Sequence, residues 1–203
     1  MRESGIGRVL VASLHQAISE VLPTRLSFYE DFLPPEGLRE GTIGMAPLSA
    51  VLSFLRQEGQ AYDLVVARAG ACAAEWTAES MAPFERSMIA SAPAWLRGRL
   101  VLRLGRQLVR HSCEQSRAMA RLRRQTAQVE LSGSIFCAVR EPASAPLCGY
   151  YAAAFARLLT VFALPAQASV ERCRGTGAPG GHCVLTLSLS SASVSTLPEE
   201  TAA

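Results

Sequence analysis

Apolar residues recur at the spacing of an α-helix along most of the chain. The clearest series is Leu96, Leu100, Leu104 and Leu108, in a stretch without internal proline. Such a stripe is typical of a helix with one buried face, and it predicts a long helix over residues 93–124. The same periodicity predicts four further helices, at residues 7–22, 45–56, 61–78 and 150–164.

The pattern changes after Arg124 to short runs that favour β-strands. Residues 127–131 and 134–139 flank Ser132-Gly133, which predicts a hairpin turn, and a loop follows at 141–147. A second hairpin is predicted from residues 168–173 and 183–189, around a glycine-rich loop. Several helices followed by two hairpins indicate the α+β class, with an antiparallel sheet packed against helices.

Composition adds a core and a modest positive charge to this picture. The 203 residues are 49% hydrophobic, which suffices for a substantial core, and the formal net charge is +3. So small a charge argues against a general nucleic-acid binder. All 20 basic residues are arginines, and nine of them lie in the predicted long helix: Arg97, Arg99, Arg103, Arg106, Arg110, Arg117, Arg121, Arg123 and Arg124. They form either a solvated face or a surface for an acidic ligand, a partner or anionic lipid.

The chain shows no secretory signal and no apolar run of the length that a membrane span needs. We therefore expect a cytoplasmic protein without a transmembrane segment. Its six cysteines would be mostly reduced there, which favours a metal site or buried thiols over disulfides. For Cys173 and Cys183, which flank the glycine-rich loop, both alternatives stay open.

The C-terminal third carries a family pattern: a cysteine that opens an alanine-rich helix, then a strand, a cysteine, a glycine turn and a cysteine that leads into a final strand. It is SIFCAVREPASAPLCGYYAAAFARLLTVFALPAQASVERCRGTGAPGGHCVLTLSL. This run resembles the 4-vinyl reductase domain family. The resemblance extends loosely over residues 41–190, which leaves an N-terminal helix and linker at 1–40 and a tail at 191–203 that we expect to be disordered.

The resemblance implies a fold shared with Golgi-transport particle subunits and with phenol-sensing domains. It implies a domain, often dimeric, that holds a small hydrophobic molecule between its helices and its sheet. It also implies a structural zinc, because the phenol-sensing relatives bind one through cysteines and a glutamate. Transferred to this chain, the ligands would be Cys148, Cys173, Cys183 and Glu171, although the spacing of Glu171 departs from the pattern.

One candidate for the small molecule is a tetrapyrrole, that is, heme or a chlorophyll precursor. His111 could ligate its metal, while Trp95, Tyr150, Tyr151 and Phe155 could line its pocket. At each of these five positions a place in the core or at its boundary is the commoner outcome, because an apolar stripe belongs to a core more often than to a binding site.

These features favour a binding or carrier protein for a hydrophobic small molecule. Two alternatives stay open: a reductase or accessory enzyme that acts on a tetrapyrrole vinyl group, and a dimeric sensor or scaffold. No catalytic constellation or dinucleotide-binding fingerprint is visible, so the sequence leans away from an enzyme.

Overall fold

A computed structural model describes residues 5–190. This range contains eight α-helices: α1 (Arg8–Val21), α2 (Leu26–Glu30), α3 (Pro35–Glu40), α4 (Met45–Gln57), α5 (Gln60–Glu79), α6 (Pro83–Ser91), α7 (Ala94–Ser112) and α8 (Gly149–Val161). It also contains four strands: β1 (Arg117–Arg123), β2 (Thr126–Ser132), β3 (Ala166–Arg172) and β4 (Cys183–Leu189). The predicted tail at 191–203 lies outside the described residues.

The four strands form one antiparallel sheet in the order β1-β2-β4-β3. Helices α7 and α8 pack against the sheet, α5 packs on α8, and α1 packs on α5. Alternate residues of the central strands, among them Val129 and Leu185, are fully buried against these helices, because side chains along a strand alternate between the two faces. The predicted α+β class with an antiparallel sheet is confirmed.

The predicted long helix is wrong at its C-terminal end. Helix α7 stops at Ser112, and residues 117–123 form the edge strand β1 instead. The leucine series stops at Leu108, and the positions that would continue it are Ser112 and Ser116. From Arg117 to Arg123 exposed residues alternate with buried or half-buried ones, which is the period of a strand.

The first predicted hairpin is displaced by one strand. The hairpin joins β1 to β2 at Arg124, which adopts a left-handed φ of 52°, and residues 135–137 form a 3₁₀ turn rather than a strand. The predicted linker around Pro34-Pro35 contains the short helix α3, since proline is favoured in the first helical turn and Gly41 ends the helix with a φ of 70°.

The N-terminal segment belongs to the same core as the rest of the described chain. Leu10, Leu14 and Ile18 of α1 are fully buried, and Gly7 donates a backbone hydrogen bond to the carbonyl of Ser112. A boundary at residue 41 stays a prediction. No helix within residues 5–190 combines the length and the apolar character that crossing a membrane requires.

Candidate metal centre and ligand groove

Four cysteine side chains meet at one end of the sheet. The Sγ atom of Cys137 lies 3.5, 3.4 and 3.5 Å from those of Cys148, Cys173 and Cys183, and Cys148 lies 3.2 Å from Cys173. All four sulfurs are within 4.8 Å of one another. Each residue is at most 3% exposed, so the four thiols form a closed cluster. We call it the four-cysteine cluster.

Four separate segments supply these cysteines. Cys137 ends the 3₁₀ turn after β2, and Cys148 occupies the N-cap position of α8. Cys173 follows β3 directly, and Cys183 is the first residue of β4. The cluster therefore joins the loop between β2 and α8 to the hairpin formed by β3 and β4.

The donor set fits a single tetrahedral metal ion. Zinc binds four thiolates at about 2.3 Å, which separates the sulfurs by about 3.8 Å, close to the spacing here. Two backbone N–H groups point at the sulfurs: Leu147 donates to Cys173 at 3.2 Å, and Arg174 donates to Cys183 at 3.3 Å. Such donors stabilise the thiolate form, which is the form that binds metal.

Hydrogen bonds among the thiols distribute the charge unequally. The hydrogen bond with Cys137 lowers the pKa of the Cys173 and Cys183 thiols. Hydrogen bonds with Cys137 and Cys173 raise the pKa of the Cys148 thiol. Negative charge is thus favoured at the two cysteines that also receive the backbone N–H groups.

The ligand set predicted from the resemblance requires a correction. The structure brings Cys148, Cys173 and Cys183 together with Cys137, and Glu171 is not part of this group. The exposed carboxylate of Glu171 instead accepts a hydrogen bond from Thr186. A β-bulge between Val170 and Arg172 shifts the register at Glu171, so Glu171 and Cys173 do not share a face as they would on a regular strand.

A signal for Cys137 was present in the sequence. Four of the six cysteines lie between residues 137 and 183, and a set of four cysteines is a common structural zinc site. Cys137 was missed because the ligand set implied by the resemblance has three cysteines and a glutamate, and only Cys148, Cys173 and Cys183 match those cysteines.

Two of the five predicted ligand-binding residues pack in an aromatic group in the core. The rings of Tyr150 and Phe136 stack with their centroids 4.8 Å apart, and Tyr151 meets both rings edge-on. The Tyr150 and Tyr151 hydroxyls lie 3.5 Å from the hydroxyls of Ser13 and Ser116. Burial raises the pKa of Tyr150 to about 12, so it stays a neutral hydroxyl. The aromatic group fills the space between α8 and its neighbours.

The other three predicted ligand-binding residues do not converge with the tyrosines. Phe155 is buried against Gly105 of α7, where an added Cβ would lie only 2.3 Å from its ring. Trp95 is 62% exposed and lies beneath the guanidinium of Arg99, 5.7 Å from the ring centroid. His111 is exposed in the last turn of α7 rather than at the edge of the buried face. The structure therefore does not bring His111 or Trp95 together with the tyrosines, and a role of these residues in ligand binding stays a prediction.

Comparison with solved structures identifies the fold. An H-NOX protein from S. oneidensis in the Fe(II)NO ligation state superposes with a TM-score of 0.57 and 14% identity, over 92% of this chain and 100% of that one. The phenol-responsive sensory domain of the transcription activator PoxR, solved with phenol, gives a TM-score of 0.51 and 16% identity, over 71% and 74% of the two chains. The chain has the fold of these proteins.

This similarity confirms the predicted fold relationship to phenol-sensing domains. No family model and no curated protein matches the sequence. Membership of the 4-vinyl reductase family stays a prediction.

A groove of about 340 Å³ opens beside the four-cysteine cluster. Arg56 of α4 and Tyr62 and Asp63 of α5 line one wall, and residues 143–147 form the other. The Tyr62 hydroxyl donates a 3.0 Å hydrogen bond to the carbonyl of Leu147, the residue before Cys148. The groove and the cluster thus share one loop, and we call this groove the loop groove.

Proposed function

We propose that the protein is a small-molecule-binding domain of the sensory type, in which a structural zinc holds one wall of the binding site. The ligand site is the loop groove, and the zinc ligands are Cys137, Cys148, Cys173 and Cys183. The metal fixes both ends of the segment 137–148, which contains the groove wall.

One observation carries the proposal: the wall of the loop groove ends at a metal ligand. Leu147 lines the groove, accepts a hydrogen bond from Tyr62 through its carbonyl, and donates its N–H to Cys173. A change at the groove wall is therefore transmitted to the cluster through a single residue. Such coupling suits a sensor, because a sensor must convert the binding of a ligand into a change of structure.

The lining supports a compact ligand with an apolar body and one polar group. Ala145, Pro146 and Leu147 offer apolar surface, while Arg56 and Asp63 offer charges. Arg56 donates to the carbonyl of Phe136 at 3.0 Å, but its buried Nε has no partner within the described residues. A buried donor without a partner costs free energy, so this arginine is held at some cost to stability.

The fold neighbours support the same class of function, since one of them is a phenol-responsive domain solved with phenol. The groove volume lies at the lower end of the range for ligand sites, which favours a ligand smaller than a tetrapyrrole. Within residues 5–190 no histidine lines the loop groove: His15 bonds to Glu30, His111 is exposed, and His182 bonds to Gly180.

The proposed role of the zinc is structural. Four protein thiolates complete a tetrahedron and leave no position for a substrate, whereas catalytic zinc sites keep one open. No contact within residues 5–190 favours the vinyl-reductase alternative. The homodimer implied by the resemblance stays a prediction, which light scattering in solution tests.

The ligand site is tested with phenol, benzoate and indole as probes on the zinc-loaded protein. We expect at least one probe to raise the melting temperature, because a ligand that binds only the folded state stabilises it. Ala145→Trp places a large side chain in the groove at an exposed position and should abolish that shift.

The matched control is Ala67→Trp, which makes the same change at an exposed position of α5 outside the groove. It should leave the shift intact. The proposal fails if no probe binds, or if Ala145→Trp binds as the unchanged protein does.

A further inference from the structure

A second groove, of about 470 Å³, runs between α7 and the edge strand β1. Five exposed arginines line it: Arg99, Arg103 and Arg106 from the helix, and Arg121 and Arg123 from the strand. Its remaining lining is apolar, from Leu102, Ala120 and Leu122. No acidic side chain of the described residues contributes to this surface, which we call the arginine groove.

The arginine groove has little negative charge beside it. Glu171 lines a neighbouring groove on the polar face of the sheet with Arg121 and Arg123, but it forms no ion pair with either. Residues 86–129 hold ten of the 20 arginines but only one of the 17 acidic residues, Glu114. The ion pairs formed within residues 5–190 involve His15, Arg25, Arg68 and Arg157, and all lie elsewhere. Five like charges around one groove repel one another, so an anion that binds there relieves this repulsion.

The arginines are ordered from two sides. Arg106 donates from Nε to the carbonyl of Ala118 at 3.1 Å, which ties α7 to the free edge of β1. Arg99 lies over the ring of Trp95. Arg103, Arg121 and Arg123 form no hydrogen bond or ion pair with another described side chain, so their guanidinium groups are available to a ligand.

We propose that the arginine groove binds a ligand that carries two or more phosphate groups. A guanidinium presents parallel N–H donors that match two oxygens of one phosphate. Each phosphate monoester carries about two negative charges, so two or three such groups neutralise five arginines within this volume. An acidic peptide is less suited to this groove, because it would have to place about four or five carboxylates in the same space to neutralise the five arginines. The site is separate from the loop groove and does not depend on the function proposed there.

The test uses tripolyphosphate as a soluble probe in calorimetric titrations. Phosphatidylcholine vesicles with and without phosphatidylinositol bisphosphate form a second arm. Binding of tripolyphosphate alone identifies a free phosphorylated ligand, and binding that requires the phosphoinositide identifies a lipid headgroup. Either result supports the shared phosphate chemistry. Metal analysis before and after each titration shows whether tripolyphosphate removes any metal bound at the four-cysteine cluster.

The decisive variant is the pair Arg103→Gln and Arg121→Gln, one residue from each wall. Loss of two charge-assisted contacts should weaken binding at least about tenfold. The matched control is Arg86→Gln with Arg110→Gln, which removes the same charge from exposed positions outside the groove. It should change the affinity less than about threefold at physiological salt, because screened charges outside the site contribute little.

Three results overturn the proposal. The first is the absence of binding in both arms. The second is equal weakening by the groove pair and the control pair, which indicates diffuse attraction rather than a site. The third is tighter binding of a glutamate peptide than of tripolyphosphate, which assigns the groove to an acidic protein segment.

Discussion

Backbone hydrogen bonds to individual sulfur atoms determine which cysteines of the four-cysteine cluster favour the thiolate form. Two of its sulfurs accept hydrogen bonds from the N–H groups of Leu147 and Arg174, so the backbone is already oriented toward thiolates. Gly175 allows this packing, because a Cβ there would lie 2.8 Å from Leu147 and 3.5 Å from the sulfur of Cys173. Removal of any one sulfur would leave three donors for the proposed zinc ion, which prefers four.

The first prediction concerns the cysteine that replaces Glu171 in the ligand set. Cys137→Ser should reduce bound zinc from one ion per chain to well below half, measured by elemental analysis of protein purified without chelator. A serine hydroxyl is a poor ligand because zinc at such sites requires an anionic sulfur.

Two control variants separate this effect from a general loss of structure. Cys72→Ser changes a buried cysteine outside the cluster, and Glu171→Gln changes the residue that the family pattern had suggested. Both should retain zinc. Loss of zinc in Glu171→Gln but not in Cys137→Ser would contradict the ligand set.

At the scale of elements, the most extensive helix–helix contact is the one between α5 and α8. A Cβ at Gly70 would lie 2.1 Å from the carbonyl oxygen of Tyr150, so the two helices meet backbone to backbone. The neighbours Ala69, Ala73 and Ala74 are also buried, and their small side chains allow the approach. This contact places Tyr150 and Tyr151 in the core and sets Cys148 at the start of α8.

The second prediction is that an alanine at Gly70 lowers the stability of the protein, although alanine favours a helix more than glycine does. Helix propensity alone makes Gly→Ala within a helix stabilising by about 1 kcal/mol. We expect Gly70→Ala to destabilise the protein by about 1–3 kcal/mol instead, because the added methyl group displaces α8. The free energy of unfolding in denaturant measures the difference. A stabilised Gly70→Ala variant would mean that the helices are not in close contact.

For the molecule as a whole, the cluster joins parts that are distant in sequence. Cys137 and Cys148 bracket the loop-groove wall, and Cys173 and Cys183 bracket the turn between β3 and β4. Helix α8 adjoins these turns, because it starts after Cys148 and its Tyr150 stacks on Phe136, whereas α1 packs mainly on α5. We therefore expect the metal to stabilise one end of the molecule more than the other.

The third prediction follows from this division. A zinc chelator should lower the melting temperature, because a bound ligand contributes about 2.7 kcal/mol when its free concentration is a hundred times its dissociation constant. Hydrogen exchange should rise first in residues 137–148 and 173–183, while α1 and α5 keep their protection.

If hydrogen exchange became faster by the same factor in all described residues, the metal would be needed for the whole fold. No change on chelation, in protein shown to have lost its zinc, would mean that the cluster is held by thiol packing alone.

Local pattern suffices for most of the elements. The leucine stripe of α7 and the alternation in β4 appear in the sequence because a half-buried helix or strand places apolar residues at its own period. A prediction from local pattern is wrong where the local preference for a secondary structure disagrees with the packing of distant segments. Residues 117–123 extend an arginine-rich helical segment by composition, but pairing with β2 makes them a strand.

The sequence by itself thus determined the α+β class, the buried faces of the long helices, and three cysteines of the cluster through family resemblance. Only the tertiary structure decided that Cys137 and not Glu171 joins them, because a bulge changes which face of β3 a residue occupies. It alone also separated His111 and Trp95 from the tyrosines and gathered five arginines of α7 and β1 around one groove. Sites of this kind depend on the meeting of distant segments, and no local period encodes that meeting.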